Sequence, residues 1–316
     1  MKIFPSREQY KGYNIYSIKK YVDRKRVVFT FVVGIVVIIT LVLVLYYSIN
    51  NIIILQSAKE YQSQMISYAK EQAKKNEEEQ AKILAEQEKI RQQRLPKLTE
   101  QGKENIKNIY SSDTKRAFLT FDDGPSANTE QILNLLKEQN VKATFFVLGS
   151  NVEANPELVK KMYIEGHFIA NHGYSHIYSL IYSSPESVLN EYNKCNETVK
   201  KALNEPEYES HVFRFPGGLS GGKYAELKVQ ANNILKQNDI VSVDWNCLSG
   251  DSERNNASSE YLMTRLQETS QGKNSLVILM HDAAAKKTTA DTLTQMIQYL
   301  REQGYEFKNL YDVLNV

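Results

Sequence analysis

The distribution of apolar and polar positions divides the chain into unlike stretches. From Val27 to Tyr47 the sequence reads VVFTFVVGIVVIITLVLVLYY, and the next charged residue is Lys59. About 20 apolar residues span a bilayer core as a helix, and a buried helix of a soluble protein seldom runs this long without a polar stripe. The run predicts a transmembrane anchor over residues 27–54. Residues 55–94 are rich in Ala, Gln, Glu and Lys and contain neither Gly nor Pro, a composition that favours helix. Leu55, Ala58, Met65 and Ala69 hint at a heptad, which KKNEEEQ then breaks. A dimerising coiled-coil stalk and a lone solvated spacer helix both fit this segment. Leu95 and Pro96 end it, and residues 95–114 read as a polar linker.

From Lys115 the pattern changes to short β-rich runs alternating with amphipathic stretches. The runs AFLTF, TFFVLG, HFIAN, VFRFP, IVSVDW and SLVILMH have the character of buried parallel strands. Between and after them lie TEQILNLLKEQN, PELVKKMYIEG, SPESVLNEYNKCNETVKKAL, AELKVQANNILKQN, SSEYLMTRLQETS and ADTLTQMIQYLREQG, all helical in pattern. Strand and helix in repeated alternation predict an α/β domain over 115–316 with a parallel sheet. Roughly 200 residues suffice for a closed or nearly closed barrel, in which functional residues stand at the carboxyl ends of strands.

Charge adds an orientation. Lys2, Arg7, Lys11, Lys19, Lys20, Arg24, Lys25 and Arg26 precede the anchor against only Glu8 and Asp23. The positive-inside rule leaves this tail, residues 1–26, in the cytoplasm and sends everything after Tyr47 outward. The segment that follows, SINNIIILQSA, holds no convincing small-residue cleavage site, so the anchor reads as uncleaved. A net charge of +2 and a pI near 8.2 give no reason to expect nucleic acid as partner. Cys195 and Cys247 are too few for a thiolate metal site and read as unpaired buried thiols, although sequence alone does not decide whether they pair.

Chemistry-bearing residues stand at the strand ends. The first run closes in Thr120-Phe121-Asp122-Asp123-Gly124-Pro125, where one carboxylate can bind a metal while its neighbour handles a proton. The third closes in Asn171-His172-Gly173-Tyr174-Ser175-His176, and His-x3-His suits a grip on one divalent ion. The fourth closes in Arg214-Phe215-Pro216-Gly217-Gly218, the fifth in Asp244-Trp245 and the last in His281-Asp282. Each has a duller reading on its own: a turn, surface histidines, a loop, a core pair. A dull reading has to account for all of them in succession.

Taken together, the motifs TFDDGP, HGYSH, RFPGG, DW and LMH (Leu279 to His281) resemble those of the polysaccharide deacetylase family, the NodB-homology type of carbohydrate esterase family 4, over about residues 115–310. The resemblance implies a distorted (β/α) barrel, preceded here by the transmembrane helix and stalk, with one divalent metal ion and hydrolysis of N-acetyl groups on amino sugars. The ion is most often Zn2+, with Co2+, Mn2+ and Ni2+ as alternatives. It implies Asp123, His172 and His176 as metal ligands, Asp122 as catalytic base and His281 as catalytic acid. It further implies Arg214 as the residue that holds the base and Asp244 as the one that tunes the acid. Gly217, Trp245 and Leu279 are expected at the substrate. The sequence departs from the family at Gly173, where Ser or Thr is usual, at Ile177, where Pro is usual, and at Gly217, where Tyr is usual. The implied substrate is an extracytoplasmic polymer, peptidoglycan N-acetylglucosamine first. Another exported N- or O-acetylated glycan is an alternative, and so is a non-catalytic tethered glycan-binding protein.

Overall fold

The computed structural model describes residues 15–315, with side chains from residue 21; residues 1–14 of the expected cytoplasmic tail lie outside the described residues. The chain separates into two compact units, Met1–Ala85 and Glu86–Val316. The first consists, among the described residues, of one helix alone. Helix α1, Ile15–Arg94, runs for 80 residues and covers both the apolar run and the Ala/Gln/Glu/Lys-rich stretch. It is long and apolar enough to cross a membrane, and its side chains from Val27 to Leu55 are exposed.

In the second unit α2 is Glu100–Lys107, β1 Arg116–Asp122, α3 Thr129–Glu138, β2 Thr144–Val147, α4 Gly149–Ala154, α5 Pro156–Ile164 and β3 Phe168–Asn171. Then follow α6 Tyr178–Ile181, α7 Pro185–Leu203, β4 Val212–Phe213, α8 Ala225–Gln237, β5 Val241–Ser242 and β6 Cys247–Leu248. The order closes with α9 Ser259–Ser270, β7 Ser275–His281, α10 Lys287–Glu302, β8 Glu306–Lys308 and α11 Tyr311–Leu314. Side-chain caps fix several helix starts: Thr99 accepts from the Gly102 amide, Ser184 from Ser187, with Pro185 at the first helical position, and Ser258 from Tyr261.

The strands form one sheet in the order β5-β4-β3-β2-β1-β7-β6, every recorded pairing being parallel. The full length of β1 pairs with β7; on its other side Arg116–Phe118 pair with β8 and Thr120–Asp122 with β2. The sheet curls without a recorded pairing between β5 and β6, which makes the expected distorted barrel an open one. Strand β1 is buried on both faces, as a helix-covered parallel sheet demands.

Alternation sorts the strand residues into two layers. Ala117, Leu119, Phe121, Phe145, Val147, Ile169, Leu276, Ile278 and Met280 pack outward against α3, α5, α9 and α10. Phe118, Phe146, Phe168, Ala170, Val212, Val243 and Val277 point inward and form a second cluster. That inner cluster includes Ile106 and Ile109 from the stretch expected as a linker, together with Leu310, Val313 and Leu314. Residues 95–114 are therefore not a free linker: α2 and α11 together plug the end of the barrel where the strands begin. Truncating the fully buried Ile109 to Ala is expected to cost about 2–5 kcal/mol of stability, measurable by denaturant unfolding of the detergent-purified chain. A variant as stable as the parent would mean that the plug is decoration.

Candidate active site

Strand parity decides which side chains meet. With Phe118 and Val277 pointing inward, so do Thr120 and Asp122 on β1 and Leu279 and His281 on β7, because side chains alternate with a period of two. The same count carries Phe168 and Ala170 to His172, and Val212 to Arg214. Asp122 is the direct register partner of His281 across the β1–β7 pair. Four of the residues expected from sequence thus converge inside one rim, at the carboxyl ends of the strands.

Asp123 breaks the alternation. Its φ of 72° lies in the left-handed region, which turns its carboxylate toward the loop after β3. There Oδ1 lies 3.6 Å from His172 Nε2 and 3.5 Å from His176 Nε2, and the three candidate ligand atoms fall within 4.8 Å of one another. Asp123 Oδ1 is buried and has no hydrogen-bond partner. A buried carboxylate oxygen left unpaired is costly, and a cation would satisfy it. His172 Nδ1 is 2.8 Å from the Arg214 carbonyl oxygen, so that nitrogen carries the proton and Nε2 keeps its lone pair. Burial, the larger influence, takes His172 down to about 3 despite the Asp123 charge, which keeps the imidazole neutral as a ligand must be. The three side chains fit a divalent ion in donor type, protonation and proximity.

Beside the triad, Arg214 is fully buried and engages its guanidinium locally. Nη1 donates to Asp122 Oδ1 at 2.8 Å and to the Thr120 hydroxyl, Nε to the Val243 carbonyl and Nη2 to the Asp244 carbonyl. The guanidinium also lies 3.9 Å over the Phe146 ring. Burial pushes the Asp122 carboxyl up, and the Arg214 and His281 charges pull it partway back. Asp122 Oδ2 remains 3.8 Å from His172 Nε2, at the edge of the triad.

The carboxylate that meets His281 is not Asp244. Asp251, buried in the loop after β6, accepts from His281 Nδ1 at 2.8 Å and from the His281 amide at 2.7 Å, and also receives the Thr289 hydroxyl. Burial alone would lower His281, but the Asp251 hydrogen bond and charge, with Asp122 and Asp123 behind them, carry it to about 9. The Asp244 carboxylate instead accepts the Leu219 amide at 3.0 and 3.1 Å, so it ties down the loop after β4. Asp282 faces away as well, accepting from Ser126 and Thr129, and a Cβ at Gly124 would strike it at 2.4 Å.

Other expected residues form the surroundings. Gly217 has φ +73°, and its N–H has no acceptor among the described residues. The neighbouring loop is pinned by the Tyr182 hydroxyl on the Pro216 carbonyl and by the Lys228 ammonium on that of Gly218. Trp245 stands against Gly218, where a Cβ would meet its ring at 3.0 Å, and packs on the inner cluster. Leu279 is buried on the inward face of β7, in register with Thr120. A cleft beside the triad, of about 390 Å3, is lined by Asp123, Pro125, Leu148, Asn151, His176 and Ala283 among others.

The motifs give no sign of Glu191. Its carboxylate accepts the Tyr174 and Ser175 amides at 2.7 Å each and the Ser175 hydroxyl at 2.9 Å. This clamp braces the His172–His176 loop where Gly173 carries no side chain, and the φ of +86° at Gly173 explains the residue choice.

Residues 110–236 match the family model for polysaccharide deacetylases. A peptidoglycan N-acetylglucosamine deacetylase of Bacillus cereus is 31% identical over 237 residues, which cover 73% of this chain and 83% of that protein. Among solved structures, a CE4 esterase of Streptococcus mutans superposes with a TM-score of 0.60 at 30% identity, covering 65% of this chain and 90% of that one. The catalytic domain of a peptidoglycan N-acetylglucosamine deacetylase from Eubacterium rectale gives 0.57 at 30% identity, covering 63% and 92%.

Proposed function

The chain belongs to the polysaccharide deacetylase family, and from that membership we propose that it hydrolyses the N-acetyl groups of peptidoglycan N-acetylglucosamine at the outer side of the cell membrane. The observation that carries this reading is the unpaired buried Oδ1 of Asp123 facing two imidazole nitrogens, with Asp122 and His281 side by side on adjoining strands.

In this reading Asp123, His172 and His176 hold one divalent ion, zinc first. When bound, the ion supplies Lewis acidity, which acidifies water and polarises the acetyl carbonyl. Asp122 takes the proton of the attacking water. Its burial helps here, because a carboxylate raised above the ordinary range is a stronger base. Arg214 keeps that carboxylate aimed and compensates its charge. The Gly217 N–H, without an acceptor of its own, donates to the oxygen that becomes negative as the carbonyl turns tetrahedral. His281, as imidazolium, gives its Nε2 proton to the departing amine while Asp251 holds Nδ1 and stabilises the charge. The C–N bond breaks, the sugar amine leaves, and acetate remains. Trp245 and Leu279 wall the acetyl group.

The apolar part of α1 serves as a single-pass anchor with residues 1–26 cytoplasmic, and residues 55–94 as a helical stalk, with dimerisation through it as one way to arrange that stalk. Such a tether keeps an enzyme beside the wall polymer. The test is acetate release from purified peptidoglycan by the detergent-purified chain. Activity lost on chelation and regained with added zinc is expected; no release from any N-acetylated glycan would overturn the proposal. A second measurement addresses the loop clamp. Glu191→Gln is expected to weaken zinc affinity by about 10- to 100-fold, read by chelator competition, and unchanged affinity would remove Glu191 from the metal's support.

A further inference from the structure

Tyr178 follows the last triad residue by two positions, and nothing in the chemistry above uses it. Its ring centroid lies 5.7 Å from that of His176, and the side chain is 39% exposed, at the rim rather than the floor of the site. The hydroxyl points at the loop after β4: a Cβ built on Gly217 would lie 2.7 Å from it. Tyr178 thus occupies the space that a side chain at position 217 would take. Behind it, Tyr182 and Tyr224 pack at centroid distances of 5.5 and 6.3 Å and at 5.0 Å from each other, which fixes the ring's orientation.

Among the described residues the polar end is left uncommitted, as is that of Tyr224, whereas the hydroxyl of Tyr182 beside them is tied to the Pro216 carbonyl. The hydroxyls of Tyr174, Tyr182, Tyr192 and Tyr208 each donate to an oxygen within the chain. That of Tyr178 has no such partner among the described residues. A ring held rigid by packing, with an uncommitted O–H over an open rim, is a ready donor for a hydroxyl-rich ligand at little entropic cost.

We propose that Tyr178 contacts the substrate, its hydroxyl hydrogen-bonding the amino-sugar ring whose acetyl group lies between the triad and Gly217. The inference rests on the deacetylase reading and deepens it, assigning the sugar's orientation to a residue on α6. It also gives Gly217 a second reason to lack a side chain, since anything larger would displace the Tyr178 hydroxyl.

The experiment compares the full-length wild type with Tyr178→Phe and Tyr178→Ala, each zinc-loaded, on an N-acetylglucosamine oligomer and on 4-nitrophenyl acetate, which carries no sugar. Loss of one neutral hydrogen bond is expected to lower kcat/KM on the oligomer about five- to tenfold in Tyr178→Phe, mainly through KM. Hydrolysis of the small ester and zinc content should stay at wild-type levels. Tyr178→Ala should lose more on the oligomer alone, because the ring goes too. Equal kcat/KM for wild type and Tyr178→Phe on the oligomer overturns the proposal, and so does a parallel loss on both substrates, which would place Tyr178 in support of the metal loop. A wild type that releases acetate from no glycan defeats the deacetylase reading itself, an outcome distinct from either.

Discussion

Replacing Asp122 with Asn should abolish most acetate release while leaving the metal in place. The change is isosteric, and the new amide's carbonyl oxygen can still accept from Arg214 Nη1, which now donates to Asp122 Oδ1 at 2.8 Å. What disappears is the ability to accept a proton from water. General-base catalysis contributes about 10²- to 10⁴-fold, and kcat should fall within or beyond that range. The triad of Asp123, His172 and His176 does not include Asp122, so metal content by elemental analysis should be unchanged. This separates an enzyme from a tethered glycan binder, whose behaviour would not respond. An Asp122→Asn protein turning over at the parental rate would require another base, and the described site offers no second buried carboxylate in register with His281.

The second large effect concerns the alkaline side of the pH profile. An acid catalyst must be protonated, so activity should fall as pH rises through the His281 pKa, held near 9 by Asp251. Asp251→Asn removes that partner and leaves burial, which lowers the imidazole, without its main opponent. The alkaline limb should move to lower pH, and turnover at a pH about one unit or more above the wild-type limb should drop by about tenfold. Above the pKa, a limb displaced by about one pH unit leaves roughly a tenth of the imidazolium. A bound cation lowers His281 in both proteins, so the limb starts lower while the displacement keeps its sign. Asp244→Asn is the control. Its carboxylate bonds Leu219 rather than His281, and the limb should stay in place even if the loop after β4 loosens and KM rises. A limb that moves with Asp244 and ignores Asp251 would restore the assignment made from sequence.

The contrast between those two aspartates shows what a sequence makes legible. Runs such as AFLTF and SLVILMH announce buried parallel strands, and once strands are placed, parity alone brings Asp122, His172, Arg214 and His281 to one rim. Asp251 has no such signal: it stands in an irregular loop, and only the tertiary path returns it to β7. Glu191 is likewise hidden, a polar residue in a helix whose importance appears when the His172–His176 loop folds over it. Helix α2 is obscured by composition, its inward anchor Ile106 and the Ile109 just past its end being scattered among polar residues. Strands β6 and β8, of two and three residues, are too short to impose a period. By composition the apolar run and the stretch after it are separate elements, and the structure joins them in one helix, α1.

The plug at the start of the strands has a practical corollary. The Asn315 side chain takes the Lys97 amide and reaches the Leu95 carbonyl, while the Tyr311 hydroxyl donates to the Arg94 carbonyl. Both ends of the catalytic unit are thus sewn into a single floor, on the side away from the metal triad. Residues 310–315 behave as a keystone. Proteolytic trimming there would unseat α2 along with α11 and silence an untouched catalytic centre from below.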